Sequence, residues 1–267
     1  MKRSLRALFA QCTPGSRGVV HARMQFIDHP GIPMKHRLFL FDLDDTLLDF
    51  RASERRSFAL VMRALGVEGQ VDPLFARYQA INLALWRCFE QGAVSKDFLK
   101  VERFRKTFDA NGLALDPEAA SRLYLEALSN TVVLVDGAVA LCERLATLGE
   151  VGIITNGVEQ IQQRRIDSSG LAPHISFVAT SEACGHAKPD SRFFEFATRM
   201  ARPCTRAQTV IVGDRLDADI LGANRFGIDS CWFNPDGLPN DSGALPTWEV
   251  ARLDQVLPAL SGLALAS

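Results

Sequence analysis

Leu38-Phe39-Leu40-Phe41 runs directly into Asp42-Leu43-Asp44-Asp45-Thr46, and the reading of this stretch decides the fold. Four consecutive apolar residues predict a short strand buried on both faces, as in a parallel sheet. Carboxylates at the carboxyl end of such a strand stand where open α/β sheets have their ligand crevice. Several carboxylates gathered together repel one another and lose hydration, so they need a cation or a proton to coexist. One aspartate at a strand end is an ordinary turn residue. Two alternating ones, Asp42 and Asp44, predict a metal and a reaction.

Outward from this strand the chain has two rhythms. From Asp136 onward, apolar strands alternate with helical patterns, the signature of parallel α/β units. Helix 137–148 leads to Val151-Gly152-Ile153-Ile154-Thr155, and helix 158–168 to Ser176-Phe177-Val178-Ala179-Thr180. Helix 191–201 leads to Thr209-Val210-Ile211-Val212-Gly213, and helix 218–226 to Ser230-Cys231-Trp232-Phe233. With the first strand this predicts five strands and, with right-handed crossovers, a doubly wound, Rossmann-like parallel sheet. Between about Phe50 and Val133 the apolar spacing is helical only, at 57–62, 74–89, 97–108 and 117–128. The predicted organisation is therefore a catalytic core over 35–50 and 133–267, interrupted by a helical cap over 51–132. An insertion at the mouth of the crevice is able to cover it and exclude water.

The remaining segments carry less. Residues 1–34 begin Met1-Lys2-Arg3, but the apolar stretch that follows is too short and interrupted for a secretory signal. Pro14-Gly15 and His29-Pro30-Gly31 then break any pattern, so this is expected to be a poorly ordered extension, with a compact protein starting at Met34. The tail over 235–246 is rich in turn residues, and a short last helix is expected at 253–260.

With 267 residues, 47% hydrophobic and 23% charged, the chain has the composition of a globular protein. A formal net charge of −1 gives no support to a nucleic-acid partner, and no apolar stretch has the length of a membrane span. Six cysteines without a Cys-x-x-Cys pair favour reduced thiols in a cytoplasmic chain over a disulfide frame or zinc site.

Three more strand ends add chemistry. Thr155-Asn156-Gly157 offers a hydroxyl and backbone N–H groups at a strand-to-helix turn, suited to phosphate oxygens. Lys188 precedes Pro189-Asp190 at the start of a helix. Gly213-Asp214-Arg215-Leu216-Asp217-Ala218-Asp219 brings further carboxylates to a strand end. Taken singly these are a cap, a surface lysine and a turn. Their joint occurrence at successive strand ends is the signal.

These four segments, spanning Leu38 to Phe233, resemble the four motifs of the haloacid dehalogenase-like hydrolase superfamily, and the helical insertion resembles that superfamily's cap of the first type. The resemblance implies that Asp42 is a nucleophile forming an aspartyl-phosphate. Asp44 is then the general acid and base, its main-chain carbonyl also binding the metal. Thr155, the backbone at Asn156, and Lys188 hold the phosphoryl group. Asp214 binds Mg²⁺ with Asp42, and Asp219 supports that shell or the lysine. Four carboxylates and a phosphate dianion coexist only with a divalent cation and an ammonium beside them. Asp45 is read as structural, Asp217 as a helix-start residue, His186 as a turn residue, and Arg215 as either a screen for the acidic cluster or a solvated side chain.

Asp44 argues against the dehalogenase branch, which lacks this acid/base. The cap stretch 81–92, with Arg103-Phe104 and 181–190, is similar to bacterial nucleotidases acting on noncanonical pyrimidine monophosphates. The expected partner is therefore a small phosphate ester, a nucleoside monophosphate before others, with Trp86 and Phe89 as cap contacts that would stack on a base. A phosphosugar or phosphoglycolate phosphatase uses the same machinery. A phospho-receiver signalling module also combines acidic residues, a Thr and a Lys, but the large cap and Asp44 argue for the enzyme.

Overall fold

The computed structural model describes residues 34–67, 69 and 71–262. The expected N-terminal extension lies outside them except for Met34, which packs against the core.

The sheet consists of β1 (Leu38–Phe41), β2 (Glu150–Thr155), β3 (Phe177–Thr180), β4 (Thr209–Gly213), β5 (Asp229–Phe233) and β6 (Trp248–Val250). All pairings are parallel, in the order β3-β2-β1-β4-β5-β6. The chain winds outward from β1 through β2 and β3, then returns to the other side of β1 and winds outward again. The reversal falls between β1 and β4, so a crevice opens at their carboxyl ends. In register, Phe41 of β1 lies opposite Ile153 and Val212.

Residue alternation along β1 explains its unbroken apolar run. Phe39 and Phe41 enter one core layer with Leu141, Leu145 and Val256, while Leu38 and Leu40 enter another with Phe193, Phe194 and Ala223. The first layer is covered by α5 (Ala138–Ala146), α6 (Glu159–Ser169) and α9 (Val256–Leu260), and the second by α7 (Ser191–Met200) and α8 (Leu221–Phe226). Close approach is needed where β2 begins: a Cβ on Gly149 would lie 2.2 Å from the Arg37 carbonyl oxygen.

Between β1 and α5 the chain forms α1 (Phe50–Ala64), α2 (Val71–Glu90), α3 (Lys96–Asp109) and α4 (Pro117–Ser129). Asp49 caps α1 by accepting the Ala52 N–H, and Asp116 caps α4 ahead of Pro117. The four helices share a separate aromatic core of Phe58, Tyr78, Phe104, Phe108 and Tyr124, to which Ile161 of α6 also belongs. The two strands of chain that join this layer to the sheet run side by side, with Asp49 N–H donating to Val133 O and Val135 N–H to Leu47 O.

Two features differ from the sequence reading. A sixth strand, β6, pairs with β5 between the expected tail and the expected last helix, where no element is expected; it has three residues and one fully buried side chain, Val250, too little for periodicity to register. The expected helix 218–226 opens with a π-helical turn at Leu216–Ile220, which carries Asp219 inward before α8 begins. Among the described residues no helix is long and apolar enough to cross a membrane.

Candidate active site

Asp42 leaves β1 with its carboxylate almost fully buried at the crevice. Lys188 reaches it from the loop before α7, and its ammonium also lies 2.7 Å from Asp219 and donates to the Ile154 carbonyl at 3.0 Å. Burial alone would lower the Lys188 pKa, but the charges of Asp219 and Asp42 outweigh it and raise it well above the ordinary range. Asp219 is fully buried, and its second oxygen accepts the Arg215 N–H. Gly213 makes this possible: a Cβ there would lie 2.4 Å from the Asp219 carboxyl carbon.

Asp44 faces the other side. Its carboxylate accepts from Arg165 at 2.5 Å and from Gln162 at 2.7 Å, both on α6. Gln162 also donates to the Thr155 hydroxyl oxygen at 3.0 Å, and the Gly157 N–H donates to the same oxygen at 3.0 Å. A hydroxyl has two acceptor sites and one proton, so these contacts leave Thr155 with its O–H to give to a ligand.

Asn156 acts differently. Its side chain is spent on protein: it accepts the Lys188 N–H, and donates to the Lys188 carbonyl and to Glu90. Only its backbone is left to meet a phosphate. Asp45 adopts φ 59° and accepts the N–H groups of Phe50 and Arg51, turning the chain into α1.

Apart from the buried Asp219, the charged and polar groups of this cluster line one cavity of about 430 Å³ between the sheet and the helical layer. Its core wall holds Asp42, Asp44, Thr155, Lys188 and Asp214. Its cap wall includes Trp86, Leu83, Leu99 and Leu128. Phe89 does not line it: the ring turns to a second, open hollow, edge-on to Trp86 and beneath the Lys96 ammonium. Helical spacing alone would keep Phe89 near the face of Trp86; the ring lies instead where α2 ends at Glu90 and the chain turns along the second hollow. His186 lines that second hollow too.

Arg215 bridges the layers. Its guanidinium donates twice to Glu90 at the end of α2, at 2.5 and 2.9 Å, and also to the exposed Asp217. Lys96 of α3 donates to the Gly157 carbonyl and the Ser181 hydroxyl. Both contacts draw the cap onto the crevice.

Comparison with known proteins agrees with this geometry. The model of the haloacid dehalogenase-like hydrolase family matches residues 36–227. The chain belongs to that family. HAD-hydrolase YfnB of Bacillus subtilis is 36% identical over 231 residues, covering 85% of this chain and 96% of YfnB. A crystal structure of YfnB bound to magnesium, described as revealing interdomain movement, superposes with TM-score 0.79 at 34% identity, over 85% of this chain and 99% of that one. Pyrimidine 5'-nucleotidase PynA of Streptococcus pneumoniae is 34% identical, covering 85% of this chain and 96% of PynA. Pyrimidine 5'-nucleotidase YjjG of Escherichia coli is 31% identical, covering 84% and 97%.

In this hydrolase, oxygens of Asp42, Asp214 and Asp219 lie within 4.8 Å of one another. Burial raises the Asp42 pKa to about 7, against the opposing pull of Lys188, and raises that of Asp214 well above the ordinary range, with the charge of Asp42 adding to it. Three carboxylates facing one ammonium are short of positive charge, and an all-oxygen donor set suits a hard divalent cation such as Mg²⁺. The donor set thus fits the metal. One Asp219 oxygen lies 2.7 Å from the Lys188 ammonium, and the other accepts the backbone N–H of Arg215.

Gln162, Arg165 and Glu90 were not legible as site residues. Polar residues in a helix ordinarily mark its solvent face. The available signal is positional: Gln162 and Arg165 share the buried face with Ile161 and Ile166, and Arg165 is fully buried.

Proposed function

We propose that this hydrolase removes the phosphoryl group from a small phosphate monoester, with a pyrimidine nucleoside 5'-monophosphate as its preferred substrate. One observation carries the reading: a buried carboxylate, Asp42, stands with Lys188, Thr155 and Asp44 at the floor of a cavity whose cap wall sets the Trp86 ring among leucines and polar side chains. The relatives named as pyrimidine 5'-nucleotidases support the substrate class.

Asp42 attacks phosphorus in line as the ester oxygen departs, giving an aspartyl-phosphate and an alcohol. Asp44 delivers the proton that the departing oxygen needs, then takes one from the water that attacks the phosphorus, returning Asp42 to its starting form. Lys188 and the Thr155 O–H hold phosphoryl oxygens in the geometry of the transition state. Asp42, Asp214 and the Asp44 carbonyl would hold Mg²⁺, which would supply the positive charge that lets anion meet anion. Arg165 and Gln162 fix the rotamer from which Asp44 works.

Asp44→Asn is expected to lower kcat by about 10²- to 10⁴-fold for an alkyl phosphate ester. The loss should be smaller for p-nitrophenyl phosphate, whose leaving group departs without a proton. Equal losses for both esters would assign Asp44 another role.

The substrate class is tested by phosphate release from nucleoside monophosphates, sugar phosphates, phosphoglycolate and phenyl phosphate. Pyrimidine monophosphates should give the highest kcat/KM. Preference for a sugar phosphate or phosphoglycolate would overturn the nucleotidase reading and leave the hydrolase. Trp86→Ala should raise KM for the pyrimidine substrate about three- to tenfold, the scale of one lost aromatic contact, and raise it less for a small ester without a ring, such as methyl phosphate.

A further inference from the structure

The cap wall of the cavity contains a buried carboxylate that the chemistry at phosphorus does not use. Glu54 of α1 is 4% exposed and lines the cavity. One of its oxygens accepts from Asn82 at 2.9 Å and the other from Gln79 at 3.3 Å, both residues of α2. Asn82 is itself oriented by Arg103 of α3, which donates to the Asn82 carbonyl oxygen at 3.2 Å while its guanidinium lies 4.5 Å from the Tyr124 ring centroid. Four of these five side chains line the same cavity; the fifth, Tyr124, backs Arg103 from within the cap core.

An ionised carboxylate has about four acceptor sites. Two neutral amides fill only half of them, and among the described residues no lysine or arginine forms an ion pair with Glu54. Burial raises its pKa to about 7, outweighing the hydrogen bonds from Gln79 and Asn82 and the nearby charge of Arg103. A buried, half-satisfied carboxylate is costly unless a donor arrives to complete it. That donor is not the phosphoryl group, which has the same charge sign and is held on the core wall by Lys188 and Thr155. It belongs to the leaving group, which extends from phosphorus toward the cap.

We propose that Glu54, held by Asn82 and Gln79 in front of Arg103, reads a neutral N–H or O–H donor on the leaving group and thereby selects which phosphate esters are hydrolysed. The assignment rests on the phosphatase reading above and deepens it. Its consequence is that a leaving group carrying its own carboxylate, as in phosphoglycolate, meets repulsion at this wall. Two sources of the donor fit equally, a ring N–H of a base or a sugar hydroxyl.

The test uses the full chain with Mg²⁺, as wild type and as Glu54→Gln. The substrates are uridine 5'-monophosphate, its N3-methyl analogue, its 2',3'-dideoxy analogue, ribose 5-phosphate, and phenyl phosphate, which has no donor. Loss of a hydrogen bond to a charged partner should lower kcat/KM of Glu54→Gln for the donor-bearing substrate about ten- to hundredfold, with phenyl phosphate unchanged. The phenyl phosphate rate and the Tm report whether the variant is folded. Wild type should lose the same factor on whichever analogue lacks the donor, and that analogue should lose nothing further in Glu54→Gln, as a double-mutant cycle requires. Loss on N3-methylation assigns the base; loss on removing the hydroxyls assigns the sugar. Equal losses for uridine monophosphate and phenyl phosphate, or undiminished turnover of both analogues by wild type, overturn the proposal. Preference for ribose 5-phosphate over the nucleotide would end the nucleotidase reading, while the Glu54 assignment stands if Glu54→Gln erases that preference and falls if it does not.

Discussion

Asp42→Asn is expected to abolish phosphate release, lowering kcat by roughly 10⁴- to 10⁶-fold, the scale on which nucleophile removal acts in covalent enzymes. An amide of the same shape fills the same space but does not attack phosphorus. The structure also separates this loss from misfolding. Lys188 keeps Asp219 and the Ile154 carbonyl as partners when Asp42 loses its charge. The Asp42 carboxylate is itself strained by burial, with its pKa raised to about 7. Removing that charge relieves a desolvation cost, so Tm should hold or rise while turnover is lost. Turnover within tenfold of wild type would remove Asp42 from the reaction.

Chelation should have an effect of similar size. Asp42, Asp214 and Asp219 bring three carboxylates together beside a single lysine ammonium. Excess EDTA should bring phosphate release to background, and added Mg²⁺ should restore it. A second readout is independent of activity: a cation that binds only the folded state raises Tm as its concentration rises. Asp214→Asn removes a ligand oxygen charge without touching Lys188, and should shift that Tm response to higher Mg²⁺. Full activity in excess chelator, with a Tm indifferent to Mg²⁺, would rule out the metal.

Much of the fold is legible along the chain because its elements are locally periodic. The apolar run at Leu38–Phe41 is continuous since both faces of β1 are buried, and the later strands announce themselves in the same way. The helical layer is readable from the spacing of its aromatic residues, which the structure gathers into one cluster. β6 is not readable, because a three-residue edge strand with one fully buried side chain has no period to detect. The π-helical turn ahead of α8 is likewise invisible, since nothing in Leu216–Ile220 separates it from an ordinary helix start.

By itself, the sequence determined that Asp42, Asp44, Thr155 and Asp214 stand at strand ends, with Lys188 just before a helix and Asp219 in the helix start that follows β4. Each follows an apolar run or a turn signal, and a parallel sheet brings the carboxyl ends of its strands to one edge whatever the side chains are. What those side chains meet was decided only by tertiary structure. Asn156 spends its amide on Lys188 and Glu90. Phe89 faces away from the cavity that Trp86 lines. Arg165, fully buried, holds Asp44 across 121 positions of chain. Glu54, Asn82 and Arg103 come from three helices and meet only when those helices pack. The physical reason is common to all four cases. Burial and hydrogen bonding between distant segments depend on how helices are rotated against the sheet and against each other, and that rotation is set by the packing of the whole core, to which no local stretch of sequence has access.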